Sequence, residues 1–357
     1  MTSERQGPIF VVGASRSGTA LVRSILNNHA SVHLAGETHY FDDLRPRVER
    51  ANEPLTEAAR RETEDYFLRL SHRPYGHGGD PERASISRAE LREEAQRLGE
   101  GTDAYFEAHC RMDEGVRGRP VWGEKTPRHV YRLGEILSRY PDARAICMVR
   151  DPRAMVASYR DWKNQGGFDL DADPDHARKL AEEQARTERS YHIVLAALLW
   201  RGTVSAAVAA KRRFGADRVR IQRYEDLAIE PESAVRGLVE WLGLRFDPAL
   251  LEVPMHNSSV AEFSRASGVS TAPVERWRSR LSKGEIGVIE WWAGAAMRDA
   301  GYERSLAQAP LGALATTALS IPFALARAVA ANRRRVPNLP QYVWRRLRLA
   351  IGTARGG

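Results

Sequence analysis

Short runs of β-branched and aromatic residues alternate along this chain with longer segments whose apolar residues recur every three or four positions. Ile9–Val12, Val32–Ala35, Arg144–Val149 and Val219–Tyr224 are of the first kind. Compact apolar runs bounded by turn residues predict buried parallel strands. Helical spacing begins after Gly18, with Ala20, Leu21, Ile25 and Leu26 on one side, and Pro127 and Pro152 suit first helical turns. Residues 174–213 predict one long helix stopping near Gly215. Pro231–Leu242 predicts another, and 283–300 a last core helix. The alternation predicts an α/β fold of three layers with a mostly parallel sheet. Residues 42–118 are polar and mainly helical in pattern, which predicts an insertion capping the sheet; 1–305 then forms the main domain and 306–357 a basic helical tail.

Composition adds little until charge is located. The formal charge is +8, from 54 basic and 46 acidic residues in 357. From Leu306 onward there are eight arginines and no acidic residue, so positions 1–305 carry 46 of each sign. A nucleic-acid footprint over the main domain is therefore not expected. Cys110 and Cys147 fall in core-like segments and read as buried thiols rather than a disulfide or metal pair. With the first strand starting at residue 9, a cytoplasmic setting is expected. His72 and His77 lie in a Gly/Pro-rich loop with nothing nearby to complete a ligand set, so no metal is expected.

The candidate chemistry starts at the first strand, in Gly13-Ala-Ser-Arg16-Ser17-Gly18-Thr19-Ala20. Strand, glycine turn and helix N-terminus make an anion site from free amides and the helix dipole. Gly13 and Gly18 have the spacing of a nucleotide-hydrolase loop, but Thr19 stands where the lysine belongs, and the cation, Arg16, lies inside the loop. That argues against ATP or GTP hydrolysis. It suits a less charged terminal group with no required metal, such as a sulfuryl group on a phosphate. Further along, Arg150 ends a strand and Ser158 follows eight residues later on a helix, so both can face one ligand at the strand's carboxyl end.

With these segments in order, residues 8–302 resemble the sulfotransferases that use 3′-phosphoadenosine 5′-phosphosulfate (PAPS) and release adenosine 3′,5′-bisphosphate (PAP). Gly-Ala-Ser-Arg16-Ser-Gly-Thr19 resembles the family's 5′-phosphosulfate loop. Met-Val-Arg150-Asp-Pro-Arg-Ala-Met-Val-Ala-Ser158 resembles its 3′-phosphate motif, and Arg223-Tyr224-Glu-Asp-Leu its adenosine-side tyrosine motif. Gly-Glu-Lys125-Thr-Pro resembles the lysine segment of the tyrosylprotein-sulfotransferase-like and bacterial branches. The resemblance implies a P-loop-like fold, with Arg16, Ser17, Gly18, Thr19, Ala20, Arg150, Ser158 and Tyr224 holding the donor. Arg276 and Arg278 lie near where the family places further nucleotide-covering groups, and a solvated helix face is their other reading. In the tyrosylprotein branch the catalytic glutamate follows the loop arginine by 21 residues; Glu37 has that spacing and is the candidate base, with Lys125 and Arg16 stabilising the transition state. His39 stands where that branch has an arginine, so tyrosine-peptide specificity does not transfer directly; His39 is a candidate acceptor contact or second base.

The tail departs from this pattern. Ser305–Ala326 is uncharged but interrupted by Pro310 and Pro322, which predicts a segment too broken to span a membrane. Beyond it, arginines interleave with Phe323, Leu325, Tyr342, Val343, Trp344, Leu347 and Leu349. Two readings stay open: interfacial helices on an anionic membrane, where each basic residue contributes about 1 kcal/mol, or helices packed on the main domain. The acceptor is expected to be a small molecule, a glycan or a lipid. A P-loop kinase and a non-catalytic nucleotide-binding scaffold are the alternatives.

Overall fold

The computed structural model describes residues 7–48, 53–73, 79–112, 118–161, 174–253, 270–306 and 310–332. Five strands form one sheet: β1 (Ile9–Gly13), β2 (Val32–Ala35), β3 (Val121–Lys125), β4 (Arg144–Val149) and β5 (Val219–Arg223). All pairings are parallel, in the order β2-β3-β1-β4-β5. Along the chain, α1 (Thr19–Asn27) follows β1 and α2 (Tyr40–Asp43) follows β2. Before β3 come α3 (Glu57–His72), α4 (Arg88–Leu98) and α5 (Gly101–Met112), and before β4 comes α6 (Leu133–Arg139). Between β4 and β5 lie α7 (Pro152–Arg160), α8 (Pro174–Ser190) and α9 (Ile193–Phe214). Then follow α10 (Tyr224–Ile229), α11 (Pro231–Trp241), α12 (Ala272–Glu275), α13 (Trp277–Arg280), α14 (Lys283–Ala293), α15 (Ala295–Asp299) and α16 (Leu311–Asn332).

Alternation within the strands builds the layers. Phe10, Val12, Ala145 and Cys147 face one side, where α5 and α9 supply Phe106, Cys110, Ala207 and Ala210. Ile9, Val11, Ile146 and Met148 face the other, against Val22, Ile25 and Leu26 of α1 and Val235, Leu238 and Val239 of α11. Two-sided burial explains why these strands read as continuous apolar runs. Both cysteines are buried free thiols, as expected, and burial pushes the Cys147 thiol up to about 12.

Because β1 lies between β3 and β4, the connections from its two sides diverge, and a crevice opens outside the carboxyl ends of these strands. All five strand ends point to that edge.

Some boundaries differ from the sequence expectation. The helix expected over 174–213 is two helices, broken at Tyr191–His192, where His192 takes an extended conformation. The helix expected over 283–300 breaks at Gly294, whose φ of 59° no continuing helix adopts. Pro127 starts a 3-10 turn, Pro127–Arg132, before α6. Pro322 does not break its segment, since α16 runs continuously across it, whereas Pro310 stands just before the helix starts. His77, residues 254–269 of the Ser/Asn/Thr-rich loop and the tail after Asn332 lie outside the described residues.

Candidate active site at the carboxyl edge of the sheet

Each of the five strands carries a chemically distinctive residue at or just past its carboxyl end. After β1, Gly13 has a φ of 143°, and a Cβ there would come within 2.3 Å of the Met148 carbonyl on β4. Gly18, at the N-cap of α1, has a φ of 87°, and a Cβ would meet the Tyr224 ring at 2.6 Å. Only glycine satisfies both demands at these two positions. The α1 N-terminus has no side-chain cap and no acidic residue in its first turn, so the amides following Gly18 are available to an anion. The hydroxyl of Ser17, a fully buried residue, has no hydrogen-bond partner. A buried hydroxyl without a partner is unfavourable unless a ligand supplies one.

Arg16 joins this turn to the β4 motif. Its Nε donates to Ser158 Oγ at 3.2 Å, and its carbonyl accepts from Arg150 Nη1 at 3.1 Å. Arg150 is buried, and its guanidinium carbon lies 4.5 Å from the centroid of the Tyr224 ring. Its Nη2 donates to the Pro273 carbonyl and its own carbonyl accepts from Trp200 Nε1, each at 2.7 Å, while Nε is buried without a partner. Burial also raises the Tyr224 hydroxyl above its ordinary pKa, with the Arg150 guanidinium acting in the opposite direction. Arg16, Ser17, Gly18, Arg150, Ser158 and Tyr224 thus meet at one place. Thr19 and Ala20 open α1 immediately after Gly18.

A buried ionic frame holds Arg150 there. Asp151 caps α7 by accepting from Arg153 N at 2.8 Å and grips the Arg153 guanidinium at 2.9 and 2.6 Å. Arg153 Nη1 donates to Glu290 Oε1 at 2.8 Å, and its guanidinium stacks over Trp277 at 4.2 Å. Glu225 accepts from the Asp151 amide at 2.9 Å and from the Tyr302 hydroxyl at 2.7 Å.

Across the crevice, beyond β2 and β3, Glu37 sits between two basic groups. Lys125 Nζ lies 2.5 Å from Glu37 Oε1, and His39 Nε2 lies 3.4 Å from Glu37 Oε2. Beneath them is buried Glu124, whose Oε2 accepts from Thr38 Oγ1 at 2.6 Å and Thr126 Oγ1 at 3.0 Å, while Oε1 pairs with His129 Nδ1. Thr126 Oγ1 in turn accepts from the Thr38 amide at 3.1 Å. The strand-end turns bearing Glu37 and Lys125 are therefore clamped by one carboxylate. Glu124, Thr38, Thr126 and His129 were not singled out from sequence, although they flank Lys125 and Glu37; only the fold shows that they meet.

Arg278 departs from the cluster, and no contact joins Arg276 to it among the described residues. Arg278 is exposed, ion-paired to Glu275 and stacked on Trp277 at 4.6 Å. Arg276 is half-buried at the junction of two four-residue helices, where its carbonyl accepts from Ser279. The segment that carries them still reaches the site, through the Pro273 carbonyl on Arg150.

One backbone feature ties the halves together. Among the described residues other than glycine, only Arg16 (φ 70°) and His39 (φ 54°) have positive φ. Strained conformations of this kind persist where the surrounding structure over-determines them, and they gather at functional sites.

A family model described as the sulfotransferase family matches residues 8–248, a span that contains both halves of the crevice. The chain belongs to the sulfotransferase family. Every strand-end motif of the crevice lies within the matched region. It is similar to nodulation protein NoeE of Sinorhizobium fredii, 24% identical over 312 residues, covering 84% of this chain and 67% of that protein. It is also similar to protein-tyrosine sulfotransferase 1 of Danio rerio, 26% identical over 290 residues, covering 80% of this chain and 65% of that one. The chain thus spans about two thirds of the length of each. Among solved structures, the sulfotransferase domain from the curacin biosynthetic pathway aligns at 16% identity and TM-score 0.48, covering 83% of this chain and 98% of that domain.

Proposed function

We propose that the protein transfers a sulfuryl group from PAPS to a hydroxyl of a small-molecule, glycan or lipid-linked acceptor. The observation that carries this reading is the junction of Arg16, Ser158, Arg150 and Tyr224 beside an uncapped helix N-terminus, with Glu37 and Lys125 at the same sheet edge. The unpartnered Ser17 hydroxyl and Arg150 Nε suit the phosphate oxygens of such a donor.

The donor supplies the sulfuryl group and departs as PAP. Arg150 and Ser158 bind the ribose 3′-phosphate, Tyr224 packs against the nucleotide, and the Gly13–Thr19 turn with Arg16 surrounds the 5′ end. Lys125 turns from Glu37 to the oxygen on which charge develops, providing fixed electrostatic stabilisation. Glu37, relieved of the lysine, accepts the proton of the attacking hydroxyl. His39, whose Nε2 lies 3.4 Å from the other Glu37 oxygen, orients that carboxylate toward the acceptor. Relatives named protein-tyrosine sulfotransferase make a tyrosine side chain one acceptor worth including.

Calorimetry tests the donor. PAP should bind far more tightly than ADP, with or without magnesium, and Arg150→Ala should abolish the difference. Equal affinity for both nucleotides, or an absolute need for magnesium, would overturn the reading in favour of ATP chemistry. A screen of acceptors with labelled PAPS then identifies the hydroxyl.

A further inference from the structure

The C-terminal helix is built inside out for a protein surface. α16 packs against α8, α9 and α14, with Ser320 and Asn332 turned toward them and Arg327 at the exposed rim beside Phe323. Ser320 Oγ bonds His192 Nε2 at 2.9 Å, and Arg327 Nη2 donates to the Tyr191 carbonyl at 3.0 Å. Asn332 bonds Ser190 Oγ at 3.2 Å and accepts from Arg186 at 2.7 Å. The outward side is the apolar one: Leu311, Ala315, Leu319, Pro322, Phe323 and Ala326 are all exposed. Leu319 is 82% and Phe323 71% accessible, and no charged residue appears on the helix before Arg327. The one hydroxyl on that face, Thr316, is satisfied within the helix by the Gly312 carbonyl at 2.9 Å. A surface helix in water normally shows the opposite arrangement.

We propose that this face seats the protein on an anionic lipid bilayer, with α16 lying in the interface along the surface of the main domain. Three observations select that occupant. At 22 residues with only one charge, α16 has the length and composition of a membrane-embedded helix, yet its outward face is uncovered. The hydrogen bonds of its inward face to the α8–α9 junction require one side to stay on protein, which fits an interfacial helix rather than a spanning one. The sequence after Asn332 contributes seven further arginines and no acidic residue, a charge complement for anionic headgroups.

Vesicle flotation of the full chain tests this, using phosphatidylcholine vesicles with and without phosphatidylglycerol. The wild type should float with the anionic vesicles, less with the neutral ones, and less again in high salt. The double variant Leu319→Glu/Phe323→Glu should lose binding by at least about tenfold, because two apolar side chains no longer enter the lipid. Its circular dichroism and thermal midpoint should match the wild type; if they do not, Leu319→Gln/Phe323→Gln repeats the test without buried charge. A wild type that stays unbound with both vesicle types overturns the proposal, as does a folded variant that floats equally well. A wild-type dimer that the variants convert to monomer, with no flotation, assigns the face to a second copy instead.

Discussion

Glu37 is the base in the proposed mechanism, and its surroundings make that role separable from structure. It stands at the end of a strand, partly accessible, held by Lys125 and His39. Glu37→Gln keeps the shape and removes the base, so turnover should fall about 10²–10⁴-fold while PAP affinity stays within twofold of wild type. A parallel loss in PAP binding would make Glu37 part of the donor site instead. Lys125→Ala should lower turnover about 10²–10³-fold, the usual effect of removing one donor to a developing charge. Glu124 differs from both. Its carboxylate is buried and holds two threonine hydroxyls and an imidazole, so Glu124→Ala leaves all three without their acceptor. It should lower unfolding stability by roughly 3 kcal/mol or more in urea titration, in the range expected for a broken buried charge network. The placement of Arg16 and Glu37 at the sheet's carboxyl edge was legible because each sits at a motif position. Glu124 was not, since a glutamate beside a strand-end lysine reads as surface until the turn carrying Thr38 is seen to fold over it.

At the scale of elements, the glycine turn and α1 are a unit whose tolerance is set by two contacts. Gly18→Ala places a methyl group into the Tyr224 ring at a positive φ, so it should weaken PAP binding at least about tenfold in calorimetry while far-ultraviolet circular dichroism stays native. β1 and β4 were readable because two-sided burial leaves a near-continuous apolar signature, whereas β3, which carries Glu124 and Lys125, was not among the expected strands. Helix lengths were less so. Nothing in the apolar spacing marks the break at Tyr191–His192, because the segments on both sides keep helical character; tertiary contacts with α16 and the sheet decide where one helix ends. Pro322 misled in the other direction. Its missing amide removes one helical bond, but neighbouring turns and packing on one side keep α16 continuous.

For the whole molecule, deep burial of neutral acids sets the response to alkali. Burial raises Cys147 to about 12 and carries Tyr140, Tyr40 and Tyr302 well above their ordinary range, with Asp103 adding to Tyr40 and Glu225 to Tyr302. Above about pH 9 the unfolded chain releases protons that the folded one keeps, so stability falls as pH rises, by up to about 1.4 kcal/mol per unit for each group in its window. Thermal midpoints should be flat from pH 7 to about 9 and drop beyond; a midpoint rising above pH 9 contradicts these assignments. The strand order has a consequence for biosynthesis. β1 is made first yet occupies the middle, with Ile9 opposite Gly123 on β3 and Arg144 on β4. No neighbour exists for it until more than a hundred further residues have left the ribosome, and Tyr224, which closes on Gly18, arrives later still. Local helices can form meanwhile, but the sheet cannot, and so long-range closure should limit the folding rate. A nascent chain ending before Val149 leaves β1 with one edge unpaired, an aggregation-prone species.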